Sequence, residues 1–369
     1  MNRGAFVIAG GGTGGHVLPA LAVGRALVRR GHDPSTVRFV GSRRGLEARL
    51  VPEAGFPVTL LPGRGIVRRV SWQAVTAIAG IVLATVEATW LLARWRPAVV
   101  LCVGGYAAAP CAAAAVVLRI PLIVADSNAV PGATNHLFAR WARASAVAFE
   151  GTGLARAVLT GNPVREEVLA VSRDAGARQA ARTELGLPEA ARVVAVTGGS
   201  LGARRINDAV LEVAEAWADR SDIAIHHAIG RRDWPELSGR LPKGGALTYQ
   251  AVEYEDRVPA MLAAADVWVG RAGGTTMAEL TAVGVPSILV PLPIAPHDHQ
   301  AVGARQLEAA GACVVVLDRD CTGPRLESEL DALLGTPGAL EEMATAAAEA
   351  GHRDAADRVA DLMEQHRRG

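Results

Sequence analysis

The run GGGTGGH at residues 10–16 brings side-chain-free backbone and an imidazole into one short stretch. Glycines let backbone N–H groups approach a phosphate closely, and a helix starting behind them adds free N–H groups and its positive end. His16 follows at once, and a neutral imidazole can take a proton near pH 7. The second half holds two comparable runs, GGSLGAR at 198–204 and GRAGGTTMAE at 270–279. Two anion-seeking loops in one half suit a ligand that carries a diphosphate. Glu279 stands four residues after Thr275, one helical turn along the same face, where its carboxylate suits ribose hydroxyls. The run PLPIAPHDHQ at 291–300 ends in His297, Asp298, His299 and Gln300. That cluster suits sugar hydroxyls better than a metal, because its histidines lie two apart in a loop without a third ligand at recognisable spacing. Asp318-Arg319-Asp320 evokes the metal-binding acid pair found in some sugar transferases. It is far in sequence from every phosphate loop and reads as an ordinary loop, so no metal site is expected.

Gly10, Gly12 and Gly15 also satisfy G-x-G-x-x-G, the dinucleotide fingerprint, which makes a reductase an alternative. That fingerprint is completed by an acid at the end of the second strand, whereas the strand at 37–40 runs into Gly41, Ser42, Arg43 and Arg44. Only an NADP form of that reading survives.

These loops need strands to end on and helices to open. Short aliphatic runs, glycine turns and helical patterns alternate along the chain, the grammar of βαβ units around parallel sheets. The fold class is α/β. Strands are expected at 5–9, 37–40, 99–103, 122–125 and 146–149, and again at 193–197, 223–227, 267–269, 287–290 and 313–316. A helix is expected over 19–30, with Pro19 in its first turn, Arg29 and Arg30 in its last, and Gly31 as its cap. The grammar restarts after Gly161-Asn162-Pro163, where proline biases Asn162 away from helix. Two Rossmann-like domains, 1–161 and 162–351, are therefore expected to face each other across a cleft.

The 369 residues suffice for two ordinary cores, and a net charge of +1 gives no bulk attraction to nucleic acid. Cys102, Cys111, Cys313 and Cys321 form no C-x-x-C pair and read as reduced structural thiols of a cytoplasmic protein. The apolar run before Gly10 is too short for a signal-peptide core. Residues 70–93 are long and apolar but interrupted by Gln73 and Glu87, so spanning a membrane is not expected. Arg64, Arg68, Arg69 and Trp72 flank one end and Trp90, Arg94, Trp95 and Arg96 the other, which is the equipment of an interfacial anchor.

Taken together, GGGTGGH, GGY at 104–106, N-x-x-P-G at 128–132, GNPVR at 161–165, GGS-x-GA at 198–203, RAG-x-T-x-x-E around 271–279 and DHQ at 298–300 resemble the MurG family of glycosyltransferases over nearly the whole chain. The resemblance implies the GT-B architecture and an inverting transfer of GlcNAc from UDP-GlcNAc to undecaprenyl-diphosphate-linked N-acetylmuramyl-pentapeptide. UDP-GlcNAc is then a substrate, and no cofactor is implied. By the same resemblance Thr13, Gly14, Gly15, Asn128, Arg165, Ser200, Gly274, Thr275, Thr276, Glu279 and Gln300 line the donor site, with uracil against backbone near Glu255. His16 is the candidate base, kept neutral by the positive end of the helix behind it. Tyr106 joins the arginines and tryptophans on the acceptor and membrane side. A last helix, about 352–369, is expected to pack back on the first domain. The implied location is the cytoplasmic face of the cell membrane, held peripherally by an anionic surface and open to a cell-wall synthesis complex. The chain departs from the family pattern at Ala125, Asp126, Ser127, Leu201 and Gly303, which leaves a related transferase acting on another lipid or a natural product as the alternative.

Overall fold

The computed structural model describes residues 5–43, 45–62, 72–105, 107–295 and 298–368, with the backbone alone over 72–79. The expectations placed on Arg64, Arg68, Arg69, Tyr106, His297 and the side chain of Trp72 lie outside the described residues. The chain divides into two compact units, Met1–Arg165 with His352–Gly369, and Glu166–Gly351.

The first unit is built on seven strands, β1 (Phe6–Ala9), β2 (Val37–Ser42), β3 (Val58–Leu61), β4 (Val99–Cys102), β5 (Leu122–Asp126), β6 (Ala144–Val147) and β7 (Ala157–Leu159), in the order β3-β2-β1-β4-β5-β6-β7. Every pairing is parallel. FVIA and VVLC are buried at each position because helices cover both faces, and such strands read as unbroken apolar runs. One face is closed by the helix Gly14–Arg29 together with the C-terminal helix Ala355–His366, whose Val359 and Met363 join Leu27, Phe39 and Phe56. Arg30 pins the two helices through Asp357 and Glu364. The other face packs Leu92, Cys111 and Leu122.

The helix expected over 19–30 begins earlier, at Gly14, and holds Pro19 in its interior. His16 N and Val17 N both donate to Thr13 O, so the first turn closes on Thr13, and proline forfeits only the one bond its missing N–H would make. β3 and β7 carry no clear alternation because they are short, half-exposed edge strands. The strand expected at 146–149 lies two residues earlier, where Ala144 pairs with Ile123.

The second unit carries β8 (Arg192–Thr197), β9 (Ile223–Ala228), β10 (Thr248–Val252), β11 (Val267–Gly270), β12 (Ser287–Leu289) and β13 (Val314–Val315), in the order β10-β9-β8-β11-β12-β13 and again all parallel. Its core centres on Val194, Ile206, Ile225, Val269 and Ile288. Both units are thus Rossmann-like.

Candidate functional site

In an open parallel sheet, ligands bind beyond the carboxyl ends of the strands where the chain reverses its direction of winding. In the first unit that point lies between β1 and β4, and in the second between β8 and β11. The glycine runs at 10–15, 198–202 and 270–274 leave β1, β8 and β11, so the sequence motifs and the switch points coincide.

The first run proves to be two halves with different duties. Gly10 N donates to Val40 O at 3.0 Å, Gly11 N to Gly104 O at 3.3 Å, and Gly12 N to the Oε2 of Glu47 at 2.7 Å. The expected phosphate cradle therefore shrinks to Thr13, Gly14 and Gly15, whose N–H groups open a helix and have no partner within it. Gly10, Gly11 and Gly12 therefore have no N–H left to offer a pyrophosphate.

His16 lies in the first turn of that helix, with Nδ1 3.3 Å from Thr13 Oγ1. Its Nε2 faces Gly104, where a Cβ would come within 3.1 Å and where φ of +90° also favours glycine. Burial holds the imidazole below its ordinary pKa, while the negative charges of Asp126 and Glu47 pull the other way. The neutrality of His16 is thus a desolvation effect first, where the positive helix end had been expected to cause it.

Asp126 ends β5 and is buried with both oxygens bonded. Oδ1 accepts from Asn128 N at 3.0 Å and Asn128 Nδ2 at 3.1 Å, and Oδ2 from Gly132 N at 2.9 Å and Asn135 Nδ2 at 3.0 Å. The Asp126 carboxylate thus folds the loop 126–132 back on itself and fixes Asn128. His16, Asp126, Ser127 and Asn162 line a small pocket. Asn162 Nδ2 is buried there without a partner.

In the second unit, Ser200 sits on an exposed turn whose carbonyl accepts from Arg231 N at 3.2 Å. The helix Gly274–Val283 begins at Gly273, so Gly274, Thr275 and Thr276 present free N–H groups. Thr275 Oγ1 is buried with no hydrogen-bond partner, an unmet hydroxyl beside those donors. Glu279 is buried one turn further on, at 7% exposure. Arg271 braces the loop from below, donating to Val290 O and Pro291 O at 3.2 Å each and pairing with Asp318 at 2.6 Å. Asp318 had been set aside for its distance in sequence, and folding brings it to the phosphate loop as the partner of Arg271.

Glu255 turns its carboxylate inward, to Arg257 at 3.0 Å and to His226 Nε2 at 2.8 Å. Burial opposes its charge, yet Arg257 and His226 hold its pKa below the ordinary carboxylate value. Only its backbone is left to meet a base. Gln300 Oε1 accepts from Leu292 N at 2.9 Å, which ties its amide to the backbone after β12. Arg165 ends the first unit rather than opening the second, because the GNPV run packs against the returning C-terminal segment at His352.

Among the described residues no three His, Cys, Asp or Glu side chains gather as metal ligands would. The four thiols are buried, and burial pushes Cys102 up to about 12 and Cys321 to about 11, which leaves them inert as nucleophiles. Glu47 was not legible as a site residue, since nothing in its spacing ties it to Gly12.

Two Rossmann-like units, each with a glycine loop and helix start at its switch point, make up the GT-B architecture. The models of the glycosyltransferase family 28 N-terminal and C-terminal domains match residues 6–147 and 193–359. The chain belongs to glycosyltransferase family 28. It is 38% identical over 97% of both chains to the UDP-N-acetylglucosamine–N-acetylmuramyl-(pentapeptide) pyrophosphoryl-undecaprenol N-acetylglucosamine transferase of Desulforudis audaxviator. The transferase of the same name from Clavibacter michiganensis is 41% identical, covering 97% of this chain and 95% of the relative. The crystal structure of Acinetobacter baumannii MurG superposes with a TM-score of 0.76 at 27% identity, covering 98% of this chain and 99% of that one.

Proposed function

We propose that this protein moves GlcNAc from UDP-GlcNAc to the lipid-linked N-acetylmuramyl-pentapeptide, with inversion at the anomeric carbon. The observation that carries the donor half is the unmet Thr275 hydroxyl set among the free N–H groups of Gly274–Thr276, at the switch point and next to the Ser200 turn. Fixed donors of this kind stabilise the charge that grows on UDP as it leaves, without having to reorganise. Glu279 takes the ribose, backbone near Glu255 takes the uracil, and Gln300 reads the sugar, with Asn128 and Arg165 completing the donor contacts from the first unit.

On the acceptor side, His16 removes the proton from the attacking hydroxyl as its oxygen bonds to the anomeric carbon and the bond to the UDP oxygen breaks. Its depressed pKa keeps it in the unprotonated form this step needs. Thr13, Gly14 and Gly15 offer their N–H groups to the lipid diphosphate.

The acceptor's lipid is met by the helix Trp72–Trp95. Val82, Leu83, Val86 and Trp90 are 58–62% exposed and recur at helical spacing, which makes one apolar stripe. Arg94 lies 6.0 Å over the Trp90 ring. Val117, at the end of the helix packed alongside, is a further exposed apolar side chain, at 71%. Among the described residues no helix is long and apolar enough to cross a membrane. The exposed apolar stripe with Arg94 over Trp90 supports a reading of peripheral attachment to the anionic cytoplasmic face, where a cell-wall synthesis complex would also meet it.

The test is release of UDP from UDP-GlcNAc on adding lipid-linked muramyl pentapeptide. Thermal stabilisation by UDP but not by NADP is expected alongside it. Failure of UDP to bind would sink the donor site, and UDP binding without transfer would sink the acceptor.

A further inference from the structure

Glu47 lies in the short helix Glu47–Glu53, at 2% exposure, with its carboxylate driven into the turn that follows β1. It accepts from Gly12 N at 2.7 Å, from Ser42 N at 2.7 Å and from Ser42 Oγ at 3.0 Å. The space around it is moulded to a carboxylate. A Cβ on Gly11 would stand 2.3 Å from its Cδ, and one on Gly41 2.2 Å from its Cγ. Gly45 has the same restriction against Oε2. These glycines thus leave room for an internal anion rather than for a ligand's phosphate.

We propose that Glu47 is a positioning residue for the transfer reaction, a built-in anion that sets the turn at Gly11–Thr13 and through it the place of His16. The inference rests on the reading of His16 as the base. The geometry runs in three steps. The carboxylate ties the end of β2, through Ser42, to the glycine turn after β1, through Gly12. Thr13 is the next residue, and its carbonyl accepts from His16 N at 3.1 Å while its hydroxyl lies 3.3 Å from His16 Nδ1. Moving Gly12 therefore moves both contacts that orient the imidazole. Glu47 also acts on the proton affinity of His16. Its negative charge and that of Asp126 are the two charges that raise the imidazole's pKa against burial, Glu47 from the helix after β2 and Asp126 from the end of β5.

Two substitutions separate reach from charge. Glu47→Gln offers one oxygen to two backbone donors, so one N–H is left facing an amide NH₂. Glu47→Asp keeps the charge but withdraws it by a methylene. In Glu47→Gln, kcat for UDP release is expected to fall by roughly tenfold or more, because small displacements of a catalytic group are costly, while KM for UDP-GlcNAc stays within about threefold. NMR titration of the His16 ring, which needs no turnover, should give a lower pKa than in the unsubstituted protein. In Glu47→Asp the titration should stay close to that of the unsubstituted protein while kcat falls. Circular dichroism verifies that each variant folds, and if only Glu47→Asp does, its kcat is the reading taken.

A kcat within about twofold of the unsubstituted protein, in whichever variant folds, overturns the proposal, as does a His16 titration unmoved in folded Glu47→Gln. Absence of transferase activity in the unsubstituted protein would instead refute the assigned function. The NMR titration would still report on whether Glu47 tunes His16.

Discussion

Replacing Asp126 by asparagine keeps the size of the side chain and removes its charge, which makes the change a direct measure of what this carboxylate does. Each oxygen now receives two N–H groups, from Asn128 on one side and from Gly132 and Asn135 on the other. An amide can present its oxygen to only one of these pairs. Its NH₂ then meets the donors of the other, so two part-buried donors lose their acceptor. Partial burial puts each unmet donor near the low end of roughly 1–3 kcal/mol, so the loss comes to about 2 kcal/mol, less whatever Asn135 recovers by keeping its bond to Ala125 O. For a unit of this size each kcal/mol lowers the midpoint by roughly 2–4 °C, so calorimetry should show a fall of about 4–8 °C. Catalysis should change in a defined direction as well. Asp126 raises the proton affinity of His16, so its neutralisation moves the acid limb of kcat to lower pH. Freed from its anchor, Asn128 should hold the donor less well, and KM for UDP-GlcNAc should rise. A loss of stability below about 1 kcal/mol, with the pH profile unmoved, would refute the view that this carboxylate organises the loop.

His16→Ala should bind UDP-GlcNAc normally by calorimetry yet lose roughly 10²–10⁴-fold in turnover, and full activity would remove it as the base. Because burial depresses the His16 pKa, the neutral base persists as pH falls, and half-maximal kcat should lie below 6.5. Arg271→Met leaves Asp318 with only the more distant Arg205, at 3.9 Å, in a site where Arg271 and Asp318 are each only 15% exposed, and should cost ~3 kcal/mol in urea unfolding. His227 is buried and held at about 3, against 6.5 for a free imidazole. The unfolded chain binds the extra proton between those values, so stability should fall by ~1.4 kcal/mol per pH unit as pH drops from about 6.5 to about 3, and His227→Gln should flatten that slope in acid unfolding. Val86→Asp should weaken binding to anionic vesicles by at least about tenfold with the fold intact, as measured by sedimentation.

Much of the plan could be read from local pattern. Unbroken apolar runs such as FVIA and VVLC belong to strands covered on both faces, and glycine turns mark where each sheet ends. The edge strands β3, β7 and β10 escaped because a half-exposed strand at a sheet's margin leaves little apolar signal. Pro19 misled the helix start, since proline is common in a first turn, whereas here the helix has already opened at Gly14.

By itself the sequence determined the βαβ grammar, the duplication of a nucleotide-type unit, and the loops at 10–16, 198–204 and 270–279, because backbone freedom and helix starts are written in neighbouring residues. Tertiary structure alone decided which of those N–H groups remain free. Gly12 is spent on Glu47, Arg271 is held by Asp318, and Glu255 faces inward to His226, all partners brought together from distant stretches of the chain. The reason is physical. A donor's availability depends on what fills the space in front of it, and in a close-packed interior that space is filled by residues whose place only the sheet order sets.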